Sequence, residues 1–123
     1  MNIDLSKIKS PADIKGMDMD RLELLCEELR AVLIKKLAVH GGHVGPNLGV
    51  VEATVALHYV FDAPKDEIVF DVSHQTYVHK MLTGRIGAFL DPARYDEVTG
   101  FTSPHESDYD LFEIGPWSLP YFS

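Results

Sequence analysis

Two short stretches of this sequence gather the polar side chains that could do chemistry. The first is His40-Gly41-Gly42-His43-Val44-Gly45-Pro46-Asn47-Leu48-Gly49, with four glycines and a proline in ten residues. Glycine lets backbone approach a ligand closely, and an imidazole such as His43 can pass a proton near neutral pH. The stretch lacks the lysine of a phosphate-binding P-loop and follows a helical pattern, so neither nucleotide fingerprint applies. A tight connection between two packed helices would need the same glycines, and that reading stands beside the ligand-loop reading.

The second stretch is Asp71-Val72-Ser73-His74-Gln75-Thr76-Tyr77-Val78-His79-Lys80. It grows out of a strand-like run, and ligands of open α/β sheets gather outside the carboxyl ends of strands. Ser73, His74 and Gln75 occupy that place. A metal reading of His74 with His79 is poor, because a spacing of five fits one helix face badly and no third ligand is near. A Ser-His hydrolase would need a G-x-S-x-G elbow, which does not occur. The acids Asp91, Asp96, Glu97, Glu106, Asp108, Asp110 and Glu113 read as a solvated loop rather than paired catalytic carboxylates. His58 reads as packed on its helix, His40 as a helix C-terminus and His105 as part of an irregular segment. None of the three is assigned chemistry.

The elements that must position these stretches are legible in part. Asp20 offers an N-cap with Glu23 three residues on, the spacing of a capping box. Leu22, Leu25, Cys26, Leu29, Leu33 and Leu37 follow at steps of three and four, which predicts an amphipathic helix over 20–38. Residues 50–61 (VVEATVALHYVF) are almost wholly apolar. Their length, with Asn47 as a possible cap, predicts a buried helix. Glu67 to Val72 (EIVFDV) predicts a buried strand, and a short helix then runs to Leu82 with Gly84 as its stop. Leu57, Val69 and Val72 are expected in the core with the leucines of the first helix and Val55. Beyond Arg85 the pattern dissolves, apart from a weak extended run near 111–114. The order of elements is that of an α/β layer structure opening on a parallel sheet. A strand apolar on both faces needs cover from both sides, so the domain is expected to be incomplete.

The chain has 123 residues and a formal charge of -8. That is room for one core, and the acidic balance argues against nucleic-acid binding, which needs a basic face. The lone Cys26 excludes an intrachain disulfide and suits a reducing compartment. No window is apolar over the length of a membrane span, and no signal peptide opens the sequence. The expected address is cytoplasmic.

Taken together, the strings are more specific than any one of them. GGHVGPNLGVVEATVALHYVFDAPKDEIVFDVSHQTYVHKMLTGR resembles the N-terminal region of the 1-deoxy-D-xylulose-5-phosphate synthases, part of the transketolase-like superfamily. The likeness runs from Leu37 to Arg85 and resumes at 99–101 (TGF) and 106–115 (ESDYDLFEIG). It implies an incomplete thiamine-diphosphate-binding domain, three-layered with a parallel sheet, over residues 20–115. Residues 1–19 would be an arm before it, and 116–123 a tail unlike the family. It implies a transferase that joins pyruvate to glyceraldehyde 3-phosphate with loss of carbon dioxide, using thiamine diphosphate and magnesium, as a homodimer when full-length.

By the same resemblance His43 lies beside the reacting carbon as a proton-transfer or orienting residue, and His74 and Gly115 contact the cofactor. No magnesium ligand of the family falls within these residues, so the 123 residues alone are expected to be inactive. Ser73 stands where the family usually has glycine, and Val78 where it commonly has proline. The alternatives are a non-catalytic assembly module or another transketolase-like subunit.

Overall fold

The computed structural model describes residues 3–40, 44–70 and 75–111. The first long helix forms where the leucine spacing predicts it: α1 spans Met19–His40. Its cap is Asp18 rather than Asp20. The Asp18 carboxylate accepts from Arg21 N at 2.9 Å and its carbonyl from Leu22 N at 3.0 Å. Asp20 then lies in the first turn, where a negative charge still complements the helix dipole. Leu25, Cys26, Leu29, Leu33 and Leu37 make a buried stripe, with Leu22 half-buried at its start.

Helix α2 (Val44–Gly49) occupies part of the glycine-rich stretch, which the ligand-loop and tight-connection readings both make a loop. Pro46 lies in its first turn, where a missing N–H leaves no intrahelical bond unmade. Helix α3 (Val51–Val60) packs across α1, burying Val51, Thr54, Val55 and His58. Its other face is open: Leu57 is 38% and Val60 66% exposed. The expected burial of Leu57 is therefore corrected. An apolar run marks a helix as able to be buried on all sides, and here neighbours cover only one.

The predicted strand is not seen. Residues 67–70 form no ladder, Val69 is 56% exposed, and 71–72 lie outside the described residues. A strand requires a partner, and no strand exists among the described residues to provide one. The α/β expectation with a parallel sheet is thus replaced, for the described part, by an all-helical architecture. The expected core position of Val69 falls with it, and Val72 is outside the described residues.

The N-terminal arm forms two 3-10 turns, Leu5–Lys7 and Pro11–Asp13, and sends Ile3, Leu5, Ile8 and Ile14 into the core. Lys15 then closes α3. Its ammonium donates to the carbonyls of His58 (2.9 Å), Tyr59 (3.2 Å) and Phe61 (2.7 Å) and pairs with Asp62. Helix α4 (Tyr77–Lys80) continues through a wide turn, Met81–Arg85, into α5 (Gly87–Leu90) and a 3-10 turn, Pro92–Glu97. Gly84 breaks the helix at φ 97°, the stop the sequence predicts. Beyond Arg85 the chain is helical as far as Glu97, while residues 98–111 form no regular element, as the dissolving pattern suggests. The helical elements there are four and six residues long, too short for a period to show.

Candidate functional site

Asn47 ties together the ends of the two polar stretches. The sequence suggests it as the cap of α3, but its Oδ1 instead accepts from Tyr77 N, the first residue of α4, at 3.1 Å. α2, which carries Asn47, begins directly after 41–43, and α4 begins three residues after 74. Val78 is the second residue of α4 and fully buried. First-turn residues have no intrahelical acceptor for their N–H, so valine and proline are both at home there.

Beneath α4 lies a buried chain of charged and polar side chains. His58 Nε2 lies 2.8 Å from His79 Nδ1, and His79 Nε2 lies 2.9 Å from Asp110 Oδ1. Arg85 grips the same carboxylate with both terminal nitrogens, at 2.7 and 2.8 Å, and Ser103 N donates to it at 2.8 Å. Glu106 accepts from Arg85 at 3.1 Å and pairs with Lys80 at 2.9 Å, while the Lys80 ammonium also donates to Thr99 O at 2.7 Å. The His58 and His79 rings stack at 5.0 Å between centroids, and Phe70 tilts onto His79 at 4.9 Å.

Electrostatics follows from this burial. Burial alone would raise the Asp110 carboxyl, but hydrogen bonds from Arg85, His79 and Ser103 reverse that and hold it well below the usual carboxylate range. His58 is pushed down to about 3 by burial first, then by His79 and Lys15. His79 is lowered by burial against the pull of Asp110, and Lys80 is lowered by burial against Glu106. An ionised Asp110 requires a donor, so the proton of His79 sits on Nε2. Nδ1 then accepts from His58 Nε2–H. Two neutral imidazoles lie in series on one carboxylate.

Asp110 and Glu106 therefore correct the reading of the late acids as a solvated loop. Asp110 is 3% exposed and Glu106 is half-buried. Asp91, Asp96, Glu97 and Asp108 are exposed, as that reading has it. His58 does pack within the core, on a chain that spacing could not show. Its partners lie 21 and, beyond His79, a further 31 residues along. The only sequence signal for them is that His58, His79, Arg85 and Asp110 all fall inside the strings that carry the family resemblance.

Three assigned site residues, His43, His74 and Gly115, lie outside the described residues, as does Ser73. No group of three or more His, Cys, Asp or Glu side chains among the described residues could hold a metal ion. The buried acids are already engaged by Arg85, Lys80 and His79. No helix among the described residues is long and apolar enough to cross a membrane.

The chain matches the family model described as 1-deoxy-D-xylulose-5-phosphate synthase over residues 5–119. A 1-deoxy-D-xylulose-5-phosphate synthase of Halalkalibacterium halodurans is 52% identical over 113 residues, 92% of this chain and 18% of the relative. The protein of that name from Methylacidiphilum infernorum is 52% identical over 111 residues, 90% of this chain and 18% of its own. That of Chlamydia muridarum is 50% identical over 112 residues, again 90% and 18%. The chain spans 18% of the length of these curated relatives. With a match from residue 5 to residue 119, this chain belongs to the 1-deoxy-D-xylulose-5-phosphate synthase family.

Proposed function

We propose that these residues are the N-terminal part of a thiamine-diphosphate-dependent transferase that condenses pyruvate with glyceraldehyde 3-phosphate, releasing carbon dioxide and forming 1-deoxy-D-xylulose 5-phosphate. The family match over 5–119 carries this reading. It is supported by the Asn47 bond, which brings the end of one polar stretch to the start of the helix that follows the other. The activity belongs to the whole protein, a magnesium-dependent homodimer in the cytoplasm, of which this chain matches the opening. No group of three or more His, Cys, Asp or Glu side chains among the described residues could hold the magnesium ion.

Thiamine diphosphate, when bound, supplies the electron sink for loss of carbon dioxide. The work of this chain's residues is narrower. His43 orients the substrate and moves a proton at its carbonyl oxygen, which requires hydrogen-bond reach of that atom. His74 holds the cofactor from the other stretch, and the backbone of Gly115 contacts it.

The test is turnover by the full-length protein with pyruvate, glyceraldehyde 3-phosphate, thiamine diphosphate and magnesium, with product identified by mass spectrometry. His74→Ala should weaken cofactor binding by about 1 kcal/mol or more, the scale of one lost hydrogen bond. An unchanged affinity and rate in that variant would remove His74 from the site. Absence of product from the parent protein would remove the whole reading.

A further inference from the structure

Residues 98–111 belong to no helix or ladder, yet they lie against α4 and the wide turn that follows it. What holds them there is charge. The buried side chains within 99–110 are Thr102, Ser103 and Asp110, all polar, while Phe101 and Tyr109 are only half-buried. A segment without a buried apolar anchor gains little from the hydrophobic effect, so its order depends on its polar bonds.

Those bonds repeat at one spacing. The Glu106 carboxylate reaches back seven residues to accept from Thr99 N at 2.9 Å, and Asp110 reaches back seven to accept from Ser103 N at 2.8 Å. Two loops result, 99–106 and 103–110, each closed by a carboxylate. Glu106 N donates to Ser103 O at 2.9 Å and ties one loop to the other. From the opposite side, Lys80 and Arg85 meet Glu106 at 2.9 and 3.1 Å, and Arg85 also grips Asp110 with both terminal nitrogens. The Arg85 side chain is 10% exposed, so solvent screens its bridge between the two carboxylates only weakly. Beneath the segment lies His79, with Nε2 facing Asp110, and Thr102 and Leu111 share a pocket with Ile68, Val69 and Phe70.

We propose that residues 99–110 are a strap that opens and closes as one unit over His79, with Arg85 as its latch. The guanidinium couples the two carboxylates, so neither loop opens without the other; groups that share one ion-pair network are the ones whose energies fail to add. Opening uncovers the imidazole and one side of the 68–70 run while the leucine core of α1 stays folded. Such local openings cost less than global unfolding where apolar burial is low. The strap follows from contacts within these residues and does not depend on the transferase reading.

Hydrogen–deuterium exchange of the full-length protein, resolved to single amides by mass spectrometry, tests the strap. In the parent, the protection factors of the Thr99 and Ser103 amides should agree within about threefold and lie at least about tenfold below those in the middle of α1. Glu106→Gln keeps the shape of the first clasp and removes its charge. Protection of Thr99 should then fall about ten- to a hundredfold, the scale of bonds to a charged group, and that of Ser103 should fall by the same factor although its acceptor is Asp110. Arg85→Gln should lower both together, and thermal unfolding reports whether each variant is folded. A loss at Thr99 alone in Glu106→Gln would make the loops independent and overturn the latch, as would no change at either amide. Strap amides that exchange as slowly as those of α1 in the parent, a comparison that needs no variant, would overturn the opening itself.

Discussion

Asp110 is the side chain on which the most other groups depend. It takes four donor contacts, two from Arg85 and one each from His79 and Ser103 N. Asp110→Asn would present an N–H₂ to donors and leave the buried guanidinium short of charge, a loss of about 3 kcal/mol measured by the denaturant midpoint. The histidines in series with it carry a pH signature of the same sign, at higher pH. Their folded pKa values lie below the unfolded value near 6.5, that of His58 at about 3. The unfolded chain therefore takes the proton first, so stability is complete above about pH 6.5 and is lost as pH falls toward 3. Between pH 6.5 and 4.5 the His58 share amounts to about 2 kcal/mol. The stability of His58→Gln should be correspondingly flatter over that window. Equal slopes for variant and parent would show that His58 is not held neutral by its surroundings.

At the scale of elements, two joints are specific enough to break singly. Gly84 has φ 97°, and a Cβ there would meet Lys9 O at 3.1 Å. Gly84→Ala combines left-handed strain with backbone crowding and should cost about 1–2 kcal/mol, read as a lowered Tm. Lys15 closes α3 through three carbonyls at the negative end of the helix dipole. Lys15→Met should lose about 1 kcal/mol, with Lys15→Arg losing less if charge at the helix end is what counts. Lys36 is a joint of another kind. Fully buried, it donates to Tyr95 O at 2.7 Å with the rings of Tyr77, Phe89 and Tyr95 around its ammonium. It fastens α1 to α4, α5 and the turn beyond, and burial lowers its pKa.

Over the whole molecule, apolar surface is unevenly covered. Met19, Leu57, Val60, Phe61 and Val69 are all exposed. A groove of about 520 Å³ runs between α1 and α3, lined by Leu22, Cys26, Val55 and Tyr59, with the Arg30–Glu52 ion pair on its rim. A diphosphate held away from bulk water needs a cation and oriented donors. The described residues hold no group of three or more His, Cys, Asp or Glu side chains able to bind that cation. The 123 residues by themselves should show no saturable thiamine diphosphate binding by calorimetry with magnesium present. Tight binding would mean that the determinants differ from those of the family.

What the sequence alone determined is what local physics determines. The leucine spacing specified α1, Gly84 specified a helix stop, and the long strings from Leu37 to Arg85 carried the family. These depend on neighbours within a few positions or on continuous identity, and both are written along the chain. Tertiary structure decided the rest. It turned Asn47 from a cap of the adjacent helix into a cap of α4, because the fold brings the N–H of Tyr77, thirty residues away in sequence, within hydrogen-bond reach of its side chain. It took Asp110 out of a run of acids and buried it under Arg85, a pairing that depends on how α4 and the 99–110 segment meet. It left Val69 exposed and unpaired, because a strand exists only where another strand lies beside it.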